Sequence, residues 1–86
     1  MKRLVLEYEL PIKVTPQKEG GYVATSPYWK DCYAQGETVD EAILEITAVA
    51  QSLIELYKEE NIKVPLRHST ERSVSKGFSI PVIVEA

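Results

Sequence analysis

Between Leu4 and Val14 the even positions are Leu4, Leu6, Tyr8, Leu10, Ile12 and Val14, while the odd ones are Val5, Glu7, Glu9, Pro11 and Lys13. Successive side chains of a strand point to opposite faces, so a period of two held over eleven residues commits the amino terminus to a half-buried strand. Its apolar face needs a second layer, and the rest of the chain must supply it. Pro11 has no N–H to donate, which predicts a strand on a sheet edge or one that breaks at a bulge. Pro16-Gln17-Lys18-Glu19-Gly20-Gly21 reads as a turn, with glycines free to take positive φ, and Tyr22 to Ser26 resumes in extended form. These two segments form a hairpin.

Ser26 to Asp31 reads as a loop, Cys32 to Gln35 as a short strand, and Gly36 as its stop. Thr38 and Glu41 match the capping box, whose hydroxyl and carboxylate satisfy amides left free at a helix start, so a helix begins at about Val39. At about 100° per residue, Ala42, Ile43, Ile46, Val49, Ala50, Leu53, Ile54 and Tyr57 fall in an arc of roughly 140°, enough to cover one sheet face. Asn61 suits the C-terminal cap, with Pro65 just beyond. Arg67 to Lys76 is polar and reads as a linker. Phe78, Ile80, Val82 and Val84 alternate again as a last strand, with Pro81 on its opposite side. The expected fold is α+β, in the order β-β-β-α-β: an antiparallel sheet with one packed helix. At 86 residues it is a single domain, 1–86.

Ten Lys+Arg against thirteen Asp+Glu give a net charge of -3 and a pI near 5.1. That balance offers no footprint for gripping phosphates, so direct nucleic-acid binding is not expected and a basic protein is the better partner. Cys32 is the single cysteine, no Cys/His group has metal-ligand spacing, and neither a metal nor a cofactor is expected. Glu7, Glu9 and Pro11 interrupt what a signal peptide needs, and the uncharged run Ile46 to Ile54 is far short of a bilayer span of roughly 20 residues. A soluble protein of a reducing cytoplasm fits.

An enzyme is not expected either. His68 is the one base available to Cys32, and a small buried thiol with a solvated imidazole accounts for both. Asp31, Glu37, Asp40 and Glu41 cluster before and at the helix start, where capping and the helix dipole account for Glu37, Asp40 and Glu41 without a metal. Two surface features go beyond structure. Glu41, Glu45, Glu55 and Glu59 share one outward stripe of the helix, with like-charged i,i+4 pairs that each cost a few tenths of a kcal/mol. Tyr28-Trp29 sits in a loop, either as an interface anchor or as local core packing. Val5 and Ile83 are out of phase with their strands' core faces, and Leu44 points away from the apolar helix stripe. On so thin a core these three are the expected contacts of a closed homo-oligomer, a dimer or tetramer.

Gly20-Gly21-Tyr22-Val23-Ala24, then Ser26-Pro27, then Asp31-Cys32-Tyr33-Ala34-Gln35-Gly36-Glu37-Thr38-Val39-Asp40-Glu41-Ala42 resembles the signature of HicB-type antitoxins. Gln35-Gly36-Glu37-Thr38 followed by Asp40-Glu41-Ala42 is the specific part. The likeness covers residues 1 to 66 well and departs at Asp31, Ala34 and Tyr28-Trp29. It implies a partial RNase H-like fold and an antitoxin that masks a small basic, mRNA-cleaving toxin of HicA type. Tyr28, Trp29, Glu41, Glu45, Glu55 and Glu59 are then the candidate toxin contacts. Many relatives of that kind add a DNA-binding domain, for which no room is expected here. An orphan HicB-like homo-oligomeric scaffold or regulatory protein-binding module without a toxin is the alternative.

Overall fold

The structure, a computed structural model, describes residues 5–68 and 78–85, without the side chains of Val5, Leu6, Arg67, His68, Phe78 and Glu85. It contains β1 (Val5–Pro16), β2 (Tyr22–Ser26), β3 (Trp29–Gly36), α1 (Val39–Glu59), β4 (Arg67–His68) and β5 (Phe78–Glu85). All pairings are antiparallel. β1 joins β2 through Lys13–Pro16 and β5 through Val5–Ile12, while Tyr8 and Glu9 also pair with β4. The α+β architecture and helix position agree with expectation. β4 is the addition: the first two residues of the segment read as linker are paired to β1. Residues 69–77, which include the rest of that segment, lie outside the described residues.

The alternation of β1 is realised, with Tyr8, Leu10 and Ile12 buried and Glu7 and Lys13 exposed. The expectation for Pro11 needs correction. It lies inside the unbroken β1–β5 ladder opposite Ser79, and Pro81 lies two residues along, opposite Glu9. Alternate pairs of an antiparallel ladder exchange no N–H···O bonds. Both prolines fall in one such class of pairs, so one register accommodates the two missing donors. The Ile83 carbonyl, in the same class, turns off the ladder and accepts from Gln51 Nε2 at 3.2 Å.

α1 lies on the apolar face through Ala42, Ile46, Ala50 and Ile54, all fully buried at i,i+4 spacing. They meet Leu10, Ala24, Cys32, Ala34, Ile80, Val82 and Val84 in one core. Thr38 Oγ1 accepts from the Glu41 amide at 3.1 Å, as the cap requires. At the other end Asn61 takes φ 57°. The Asn61 amide donates to Lys58 O at 3.2 Å and the Ile62 amide to Tyr57 O at 2.8 Å, the two bonds of a Schellman stop. Among the described residues no helix is long and apolar enough to cross a membrane.

Candidate partner-binding site

The helix stripe stands clear of the core. Glu41, Glu45, Glu55 and Glu59 are all exposed. At 1.5 Å per residue the 18 positions from Glu41 to Glu59 span about 27 Å, so the carboxylates form two pairs along one rod. From Val39 to Glu60 there are six acids against one base, a net of -5, which leaves the remainder of the chain at +2. The helix therefore carries the net negative charge of the molecule, with four of its six acids on the face that nothing described covers.

The structure separates the aromatic pair that the sequence joined. Tyr28 is 72% exposed in the turn after β2, whereas Trp29 is 3% exposed. A register shift places Ser26 opposite Trp29 and Thr25 opposite Tyr33, so the intervening residues bulge and Trp29 turns into the core. Its ring meets Tyr57 edge-on at 5.2 Å. Trp29 Nε1 donates to the Tyr57 hydroxyl at 3.0 Å, and that hydroxyl donates to Asp31 Oδ2 at 3.3 Å. Trp29 is thus corrected from a surface anchor to a packing residue, because its indole N–H finds an acceptor only against the helix. Tyr28 remains outside, one residue before the Trp29 ring that meets Tyr57. Sequence periodicity had placed Tyr57 on the core face but gave no sign of its polar bridge. Tyr57→Phe is expected to cost about 1–2 kcal/mol in urea unfolding, because a part-buried indole N–H loses its acceptor. A midpoint equal to wild type would discount the bridge.

The two halves of the signature meet in space. Gly20, Gly21, Tyr22 and Val23 from the hairpin and Gln35, Gly36, Glu37 and Glu41 from the β3–α1 junction line one open groove with Gln17 and Glu19. Tyr22 pairs with Gly36 and Val23 with Gln35. A Cβ on Gly36 would lie 2.4 Å from the Ala42 amide nitrogen, so the strand approaches the first helical turn at a distance open to glycine alone.

Cys32 is fully buried, its Sγ 4.0 Å from Ile46 O. Burial pushes its thiol up to about 11, so it is protonated and unreactive near neutrality. Thiol-reactive dye at pH 8 is expected to label Cys32 only on denaturation; prompt labelling of the native protein would place it at the surface. The side chain of His68 lies outside the described residues, as does that of Val5. Leu44 and Ile83, at 71% and 51% exposure, are at the surface but on opposite layers, one on the helix and one on the sheet. Among the described residues no group of three or more His, Cys, Asp or Glu side chains could hold a metal ion.

Comparison with known proteins places the chain beside small proteins of similar size. It is 38% identical over 66 residues to UPF0150 protein ssl0259 of Synechocystis, with 77% of this chain and 86% of that protein covered. It is 33% identical over 61 residues to UPF0150 protein Ta0767 of Thermoplasma acidophilum, covering 71% and 88%. Antitoxin HicB 1 of Photorhabdus laumondii is 30% identical over 63 residues, 73% of this chain and 41% of that antitoxin. No protein-family model matches the chain, and no solved structure does.

Proposed function

Because the chain belongs with the UPF0150 proteins in a HicB-like family, we propose that it is an antitoxin-type module that masks a small basic toxin of HicA type. The observation that carries this is the exposed -5 helix: a protein with weak net charge has gathered it on one unobstructed rod. A basic surface is steered onto such a face, and rings at its margin supply the desolvated anchor that charge alone lacks. Tyr28 is that ring. The proposed module does no chemistry of its own; it acts by occupying the toxin's RNA-binding and catalytic surface.

The second reading, a regulatory scaffold with no toxin, is favoured by coverage. The chain spans most of the two UPF0150 relatives but less than half of the antitoxin. Co-expression with the HicA-type protein of the same genome separates the two. The expected result is rescue of growth and a complex that survives gel filtration at physiological salt. Growth arrest undiminished by the chain, with no complex, overturns the antitoxin reading.

A further inference from the structure

The acidic helix carries a second pattern on its outward side. Leu44, Ala48, Ser52 and Leu56 follow one another at i,i+4 spacing, and all four are exposed. Leu44 is 71% exposed and Leu56 49%. Such positions form one slanted row on a helix surface, and at 1.5 Å per residue the two leucines stand about 18 Å apart along the axis. Only a methyl and a hydroxymethyl group lie between them. The neighbouring rows run three residues to either side. One of them brings Glu41 and Glu45 beside the Leu44 half, and the other brings Glu55 and Glu59 beside the Leu56 half.

The buried side of α1 is Ala42, Ile46, Ala50 and Ile54, so this row is not part of the core, and no other described element covers it. A single exposed leucine is ordinary. Two on one row, with small residues between them and carboxylates along both flanks, make a shallow saddle that is apolar at its ends and negative at its rims. Ridges of one helix seat in the grooves of another at an interaxial distance of about 8–10 Å, and small residues at the crossing allow the closest approach.

We infer that this saddle receives an amphipathic helix of the basic partner, crossing α1 at roughly −50°. Its apolar side chains lie between Leu44 and Leu56, and its lysines or arginines reach the four flanking glutamates. The inference rests on the antitoxin reading and deepens it by naming the element of the toxin that docks. Charge selects this occupant: a second copy would set one helix of net -5 on another, and an anionic lipid surface would meet the same carboxylates. The glutamates steer the encounter, while the leucines hold the complex once water has left the saddle.

Titration of the HicA-type protein of the same genome with the wild-type chain is expected to give a stable complex. Leu44→Ser and Ala48→Tyr, the first removing an apolar end and the second filling the saddle, should each weaken it about ten-fold or more, mainly through faster dissociation. Leu44→Met keeps apolar volume and should bind within about two-fold of wild type. Both positions are exposed, so the variants should fold, and Trp29 fluorescence verifies that they do. Hydrogen exchange is expected to show added protection in a helical segment of the bound toxin. A complex that ignores Leu44→Ser or Ala48→Tyr, or added protection confined to strands and loops of the toxin, overturns the inference and leaves the antitoxin reading standing. Absence of any complex with the wild-type chain overturns both.

Discussion

Gly36→Ala is expected to lower unfolding stability by about 3–4 kcal/mol, combining overpacking against rigid atoms with the loss of a helix cap. The added Cβ would stand 2.4 Å from the Ala42 nitrogen, 2.8 Å from the Glu41 carbonyl carbon and 2.9 Å from the Ala42 Cα. All three are backbone atoms of the first turn of α1, so no rotamer change relieves the contact. Helix and strand must separate, and the separation strains the Thr38 cap and draws Ala42 from the core. A domain of this size has a total stability of about 4–13 kcal/mol, so the loss is a large share of it. Gly20→Ala is the control. Its Cβ meets nothing within 4 Å, and only the strain of φ +102° remains, a cost of roughly 1–2 kcal/mol. If urea midpoints placed Gly36→Ala at or above Gly20→Ala, the close approach would not be holding the junction.

Reversing Glu41, Glu45, Glu55 and Glu59 together to lysine should slow association with a HicA-type toxin by at least about ten-fold at low salt and remove most of its salt dependence. The stripe lies outside the core, so the fold should survive, and relief of two like-charged i,i+4 pairs does not occur because the new pairs are also alike. Tyr28→Ala acts on the other rate: it should raise the dissociation rate with little effect on association, since a ring at the margin anchors without steering. Stopped-flow measurement at two ionic strengths distinguishes them. Unchanged association of the quadruple variant takes the helix out of the interface.

Much of the fold is legible in the residues because local periodicity and tertiary burial agree. The eleven-residue alternation of β1, the Thr38 cap and the i,i+4 ladder Ala42-Ile46-Ala50-Ile54 each point to one conformation and one buried face. The exposed stripe is legible for the same reason, as the complement of that buried arc.

Two features depended on contacts between residues far apart in the chain, and a third on packing across the β3–α1 junction. Pro11 signals an edge or a bulge when read alone; only its pairing with a strand about seventy residues later, whose own proline falls in the same class of non-bonded pairs, lets it sit inside a ladder. Tyr28-Trp29 reads as one aromatic pair, yet the bulge beside Ser26 turns one ring inward to Tyr57 and leaves the other in solvent. Gly36 reads as a strand stop, whereas its need for glycine comes from helix atoms packed against it. The sequence by itself determined the helix, most of the extended segments and which side of each is apolar, because those follow from spacing along one segment; it missed β4 and read the first three residues of β3, Trp29 to Asp31, as loop. Tertiary structure alone decided register, the fate of Trp29 and the convergence of Gly20–Val23 with Gln35–Glu41, because each depends on where a distant backbone lies.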